Sequence, residues 1–222
     1  MQTKARMIFQ TAETRRLILD TAWKLFMEKG FFDTQMKDVA AATGLSRTSL
    51  YRYYADKSDL AMALAERIFD ELMANTAWKE ERQTAEKPLT GLEAISLYLK
   101  RHWLSPKFHD QFVFLAEFDA YFSGSRIPEG FVESLRRIMH TDRDLQLEAL
   151  FLEALEDGSL RPDLDLHLAM ATVLNSVRGL QQRLLLRGNA LVEVKPNELE
   201  KMPDELVDYL IAGLRNPEGG TR

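Results

Sequence analysis

The sequence contains no cysteine, which excludes disulfides, zinc–thiolate sites and thiol catalysis. It has no apolar run near the ~18 residues that a membrane span requires. Its opening, MQTKARMIFQTAETRR, lacks the apolar stretch of a secretory signal, so a soluble cytoplasmic protein is expected. There is no G-x-G, no P-loop and no G-x-S-x-G. Of the four histidines, His102, His109, His140 and His167, none lies three residues after a glutamate, so the di-iron pattern of helical bundles is missing. No catalytic residue, cofactor or metal is expected. What is present is ordinary for a folded chain of 222 residues: 45% hydrophobic and 28% charged, enough for one medium domain or two small ones.

Net charge is −5, but its placement is uneven. Residues 1–60 carry ten Lys/Arg against seven Asp/Glu, and the acidic excess falls entirely on the rest. A basic first unit on an acidic body suggests that only the first unit meets an anionic partner.

Nearly every segment has helical periodicity. Ile18, Ala22, Leu25 and Phe26 share one face, and Gly30 is a C-terminal stop. Leu60, Leu64, Ile68 and Leu72 continue a stripe from Lys57 to about Trp78, followed by a polar connection over 79–88. Further helices are expected over 90–104, 107–123, 128–157, 165–187 and 203–214, with breaks at SP, SGSRIP, DGSLRPD and GNALVEVKP. Only LVEV (191–194) has strand character, and it is too short to build a sheet. The expected class is all-α, with a helix-turn-helix domain over 1–60, including a basic arm over about 1–12, and a larger helical regulatory and dimerisation domain over 61–222.

The informative segment is TQMKDVAAATGLSRTSLYRYYADKSDL, residues 34–60. A short helix through Val39, Ala40 and Thr43 stops at Gly44, and Ser46 can cap a second, RTSLYRYY. A link of only Gly44-Leu45-Ser46 forces a sharp crossing, as in helix-turn-helix units. Ala40 is small at the crossing, Gly44 can take a positive φ, and Val39, Leu45 and Leu50 supply apolar contacts. The second helix presents Arg47, Thr48, Ser49, Tyr51, Arg52 and Tyr53, all able to bond a base edge or a phosphate. Lys57 opens the next helix, where its charge opposes the macrodipole and a phosphate would suit it. The alternative is a plain helical hairpin with a solvated polar face.

Residues 15–64 resemble the DNA-binding domain of the tetracycline-repressor-like (TetR) family, through Ala22, Leu25, Phe26, Gly30 and DVAAATGLSRTSLYRYYADKSDL (38–60). This resemblance implies a homodimeric repressor of a near-palindromic operator in double-stranded DNA, released by a small-molecule effector. It implies that Arg47, Thr48 and Ser49 face bases, that Tyr51, Arg52, Tyr53, Lys57 and Gln35 face phosphates, and that Tyr54 packs inward. Packing between helices is the alternative for Tyr51 and Tyr53. Gln35, where the family often has threonine, and Tyr53-Tyr54, where it often has His-Phe, depart from the pattern. Lys4 and Arg6 could reach a minor groove; the alternative is a disordered arm.

The body resembles the family only in style, including DGSLRPDLD (157–165) before a long helix. Two helix faces suit a dimer seam: Ala169, Thr172, Val173, Ser176 and Leu180 on one, and Leu206, Tyr209, Leu210, Gly213 and Leu214 on the other; alternatively they close the monomer core. The segment KFHDQFVFLAEFDAYFS (107–123) is aromatic on nearly every side and is expected to be buried. Its Phe114, Glu117, Phe118 and Tyr121 share a face. Glu117 either pairs with Arg101 or Arg178, or lines a cavity with Trp103, Asn175, Arg178 and Gln182. The second case would favour hydrophobic or cationic ligands. A body that binds a protein partner in place of a small molecule is the remaining alternative.

Overall fold

The computed structural model describes residues 2–139 and 144–218, with side chains over 11–137 and 146–218. The chain forms two compact units, and both are discontinuous. The first is Met1–Asp70 with Phe114–Ser134; the second is Glu71–Val113 with Leu135–Arg222. A single cut after residue 60 does not describe this division, because the aromatic residues of 114–131 pack with the first helix and its following turn.

In the first unit, α1 (Gln2–Lys29) takes in most of the segment read as a basic arm; the side chains of Lys4 and Arg6 lie outside the described residues. Ile18, Ala22 and Phe26 form its buried stripe, and Gly30, at φ 82°, ends it with an N–H bond to the Phe26 carbonyl at 2.9 Å. The next helices are α2 (Met36–Thr43), α3 (Arg47–Tyr51) and α4 (Lys57–Met73). Phe26, Phe31, Phe114, Phe118, Phe122 and Phe131 form a buried ring cluster, with centroid separations such as 4.9 Å for Phe26–Phe31 and 4.7 Å for Phe118–Phe122. The ion pair Arg67–Asp20, at 2.6 Å, ties α4 to α1.

The second unit holds α5 (Ala77–Gln83), α6 (Gly91–Tyr98), α9 (Asp144–Glu156), α10 (Leu166–Arg187) and α11 (Met202–Leu214). The helix α7 (His109–Tyr121) crosses the unit boundary within its own length, and α8 (Phe131–Met139) also begins in the first unit. The helix expected over 128–157 therefore appears as α8 and α9; His140 and its neighbours to Arg143 lie outside the described residues. At Gly91 a side chain is impossible without backbone movement: a Cβ there would stand 2.2 Å from the Ala154 nitrogen. Asp157 Oδ2 accepts the Gly91 N–H at 2.6 Å, and Thr90 and Glu93 complete the helix cap.

Two boundaries differ from the sequence reading. The helix begun at Lys57 ends at Met73, and Trp78 lies on α5, inside the segment read as a connection. Burial of Trp78 and an ion pair from Arg82 to Glu153 hold that extra helix in place. The helix expected over 90–104 changes character after Tyr98, and Leu99–Trp103 form a π-helical turn closed by the Leu104 N–H to the Leu99 carbonyl at 3.2 Å. Among the described residues the one extended pairing is an isolated bridge of Leu160 with Arg215; LVEV is irregular. No helix among the described residues is long and apolar enough to cross a membrane.

Candidate nucleic-acid interface and ligand-facing residues

The turn between α2 and α3 is built as the sequence suggests. Gly44 adopts φ 70°, and the Leu45 N–H bonds back to the Ala40 carbonyl at 3.1 Å, the 6→1 bond of a Schellman stop. Ser46 Oγ accepts the Ser49 N–H at 3.1 Å and opens α3. Val39, Ala40 and Leu50 are buried, so the crossing rests on small and branched side chains. Regular helix stops at Tyr51; the backbone continues as a tighter turn, with the Tyr53 and Tyr54 N–H groups both on the Leu50 carbonyl.

This arrangement leaves Arg47, Thr48, Tyr51 and Arg52 exposed and Ser49 half-buried. Gln35 is exposed at the start of α2, where its N–H donates to Asp38 Oδ2 at 2.9 Å. Tyr54 is buried, and burial raises its phenol pKa. Tyr53 is half-buried, and the Arg15 guanidinium of α1 lies 5.8 Å from its ring centroid and 5.6 Å from that of Tyr54. Nothing in the spacing of the motif singled out Arg15.

Lys57 differs from its expected outward position. Its Nζ donates to the Phe31 carbonyl, and to that of Phe32 at 3.2 Å. It lies 4.4 Å from the Phe31 ring centroid and 5.3 Å from that of Tyr121. The turn after α1 leaves these carbonyls without helical partners, and the lysine satisfies them. Burial lowers its pKa, partly offset by Asp33 and Glu117.

The eight residues expected to line one pocket are divided between the units. Phe114, Glu117, Phe118 and Tyr121 belong to the first; Trp103, Asn175, Arg178 and Gln182 belong to the second. Phe114 and Phe118 are filled into the ring cluster. Glu117 Oε2 accepts the Phe31 N–H at 2.7 Å, and Arg101 is committed to Glu81 at 2.6 Å. A backbone amide, a partner invisible in the sequence, meets the carboxylate. Trp103 is buried, with the Arg178 guanidinium 5.8 Å from its ring centroid. Asn175 is exposed and donates to the Ala171 carbonyl at 2.7 Å, and Gln182 is half-buried.

Of the seam residues, Val173 and Leu214 are buried within the chain and serve its own core. Thr172, Tyr209 and Gly213 are exposed, and Ala169, Ser176, Leu180, Leu206 and Leu210 are half-buried. Leu168 and Leu186 add exposed apolar surface to α10.

A capped helix-turn-helix carrying an exposed Arg/Thr/Tyr/Arg row defines a DNA-binding regulator, and comparison with known proteins agrees. Residues 18–64 match the family model described as bacterial regulatory proteins, tetR family. Residues 18–64 thus carry the DNA-binding segment of the tetR family of transcriptional regulators. The chain is 19% identical over 199 residues to the fatty acid metabolism regulator protein of Bacillus subtilis, covering 90% of this chain and 94% of that one. It is 26% identical over 167 residues to the HTH-type transcriptional repressor KstR2 of Mycobacterium tuberculosis, covering 73% and 77%. The fold matches the solved transcriptional regulator FadR of Bacillus subtilis in complex with stearoyl-CoA, with TM-score 0.65 at 16% identity, covering 90% of this chain and 99% of that one.

Proposed function

We propose that the protein is a homodimeric repressor that leaves a near-palindromic operator when a bulky, largely hydrophobic molecule binds its second unit. The observation that carries this reading is the exposed row on α3, displayed by the Gly44 turn and the Ser46 cap. Arg47, Thr48 and Ser49 read base edges, with Arg47 suited to the O6 and N7 of guanine. Gln35, Tyr51 and Arg52 meet phosphates and set the register; Tyr53 contributes from beneath Arg15. A two-fold pair of such units engages half-sites one helical turn, ~34–36 Å, or a multiple apart. The exposed and half-buried residues of α10 and α11 form the seam between protomers, where Gly213 and Ala169 allow close approach.

Long-chain acyl-CoA is the first effector class to try, because relatives of similar length are named for fatty acid metabolism and one was solved with stearoyl-CoA. The test is fluorescence anisotropy on a labelled operator selected from random DNA by the full-length protein, titrated with stearoyl-CoA. Release at micromolar stearoyl-CoA, with none by coenzyme A alone, supports the reading. Retention of the operator at saturating stearoyl-CoA counts against the acyl class.

A further inference from the structure

Four hydrogen-bonding atoms are buried without partners in one aromatic cluster of the second unit: Trp78 Nε1, Trp103 Nε1, and both ring nitrogens of His102. His102 is 0% exposed, Trp78 4% and Trp103 7%. The rings form a continuous series. Trp78 meets Tyr98 edge-on at 5.3 Å, Tyr98 stacks on His102 at 4.8 Å, and His102 meets Trp103 edge-on at 5.4 Å. Each buried donor or acceptor left unpaired costs roughly 1–3 kcal/mol, and native folds rarely leave several together.

The local backbone is built to hold these groups inward. His102 and Trp103 occupy the π-helical turn, and such turns are frequent at functional sites. The turn displaces main-chain carbonyls from the helical ladder, and side chains collect them. Asn75 Nδ2 donates to the Arg101 carbonyl at 3.2 Å, and Gln181 Nε2 donates to the Trp103 carbonyl at 2.6 Å. The Leu99, Arg101 and Trp103 carbonyls are thus satisfied while the ring nitrogens are not. Trp78 also lines a cleft of about 590 Å³, together with Lys79, Arg82, Pro88, Leu89 and others, so the ring series has one end at an opening.

We infer that His102, Trp103 and Trp78 form a polar subsite that recognises an uncharged carbonyl oxygen within an otherwise apolar ligand. This rests on the reading of the second unit as the effector-binding one and deepens it. The donor count selects the chemistry. The four unpartnered atoms comprise two indole N–H groups, one imidazole N–H and a single imidazole lone pair, so donors outnumber acceptors and an acceptor is wanted. A carboxylate would be desolvated among rings, whereas a ketone, ester or thioester oxygen is cheaper to bury. The surrounding faces of Trp78, Tyr98 and Trp103 suit the hydrocarbon on either side of it.

The test uses the full-length protein and a matched pair of small probes, 2-octanone and octane. Imidazole 15N spectra are recorded, and the His102 signal is identified by its loss in His102→Phe. 2-Octanone should shift a His102 ring nitrogen, and octane should not. 2-Octanone should also bind about tenfold more tightly than octane, the worth of one retained hydrogen bond. That advantage should vanish in His102→Phe and shrink in Trp103→Phe, which keeps a ring and serves if the first variant folds poorly by circular dichroism. An unshifted His102 signal, as a water-filled cluster would give, or an equal advantage in both variants, overturns the assignment. The ketone comparison is independent of stearoyl-CoA: failure of operator release weighs on the effector class, and failure of the ketone preference weighs on this subsite.

Discussion

The main-chain N–H of Phe31 donates to Glu117 Oε2 at 2.7 Å, while the carbonyl of the same residue accepts from Lys57. Both polar groups of one peptide-chain residue are therefore held by charged side chains from α7 and α4. Glu117→Ala should destabilise the protein by about 1.5–3 kcal/mol, the usual worth of a hydrogen bond to a charged group, and Glu117→Gln should recover part of it through its amide oxygen. Urea unfolding gives both values. Lys57→Met keeps the alkyl stem over the rings and should lower stability by about 1–2 kcal/mol. Its operator binding should retain the wild-type salt dependence, because an inward ammonium releases no counterion. A slope smaller by about one unit would show that Lys57 turns outward to a phosphate.

His102 sets a pH dependence. Burial without a charged partner lowers its pKa from 6.5 to about 4. The folded value is below the unfolded one, and here the protonated form is the charged form. The native state therefore takes up its proton later than the unfolded state as pH falls. Stability is unaffected by this group above about pH 6.5 and declines between about 6.5 and 4, with a loss approaching about 3 kcal/mol at pH 4. His102→Phe should flatten that part of the stability–pH curve. An unchanged curve would mean that His102 is protonated or solvated in the folded protein.

Gly213 is exposed on α11, and a Cβ built on it meets nothing within 4 Å in its own chain. Gly213→Leu should thus leave the protomer fold intact and act only on the seam. Sedimentation at micromolar concentration should show a shift toward monomer, with loss of operator binding, while the circular dichroism spectrum is unchanged. A variant that remains dimeric would place the seam on another face.

The helix-turn-helix was legible because its signals are local. Gly44, Ser46 and the apolar trio Val39, Leu45 and Leu50 dictate a turn, a cap and a crossing within twelve residues, and the structure repeats them. The fates of Lys57 and Glu117 were not legible. Their partners are the carbonyls and N–H of Phe31–Phe32, backbone groups that carry no sequence signal and lie 26 and 86 positions away from Lys57 and Glu117. Trp78 lies on α5 and not at the end of α4, a boundary that periodicity does not mark because the stripe of α4 can extend past Met73 without violating it. His102 is not legible from metal-ligand spacing, which does not mark a ring stacked on Tyr98 at i−4. Among the seam residues, Val173 and Leu214 share the helical rows with exposed positions; a row four residues apart cannot distinguish the half that closes the core from the half that faces out.

Base reading by α3 through Arg47 is tested most directly by selection of operators from random DNA. Wild-type protein should enrich a near-palindrome with half-sites one helical turn, or a multiple of it, apart. Arg47→Ala should bind that operator more weakly by about 1–3 kcal/mol and lose preference at one position of each half-site, whereas Arg52→Ala should weaken all sequences alike and reduce the salt slope by about one unit. Equal, sequence-independent losses in the two variants, or enrichment of no common site by the wild type, would contradict it.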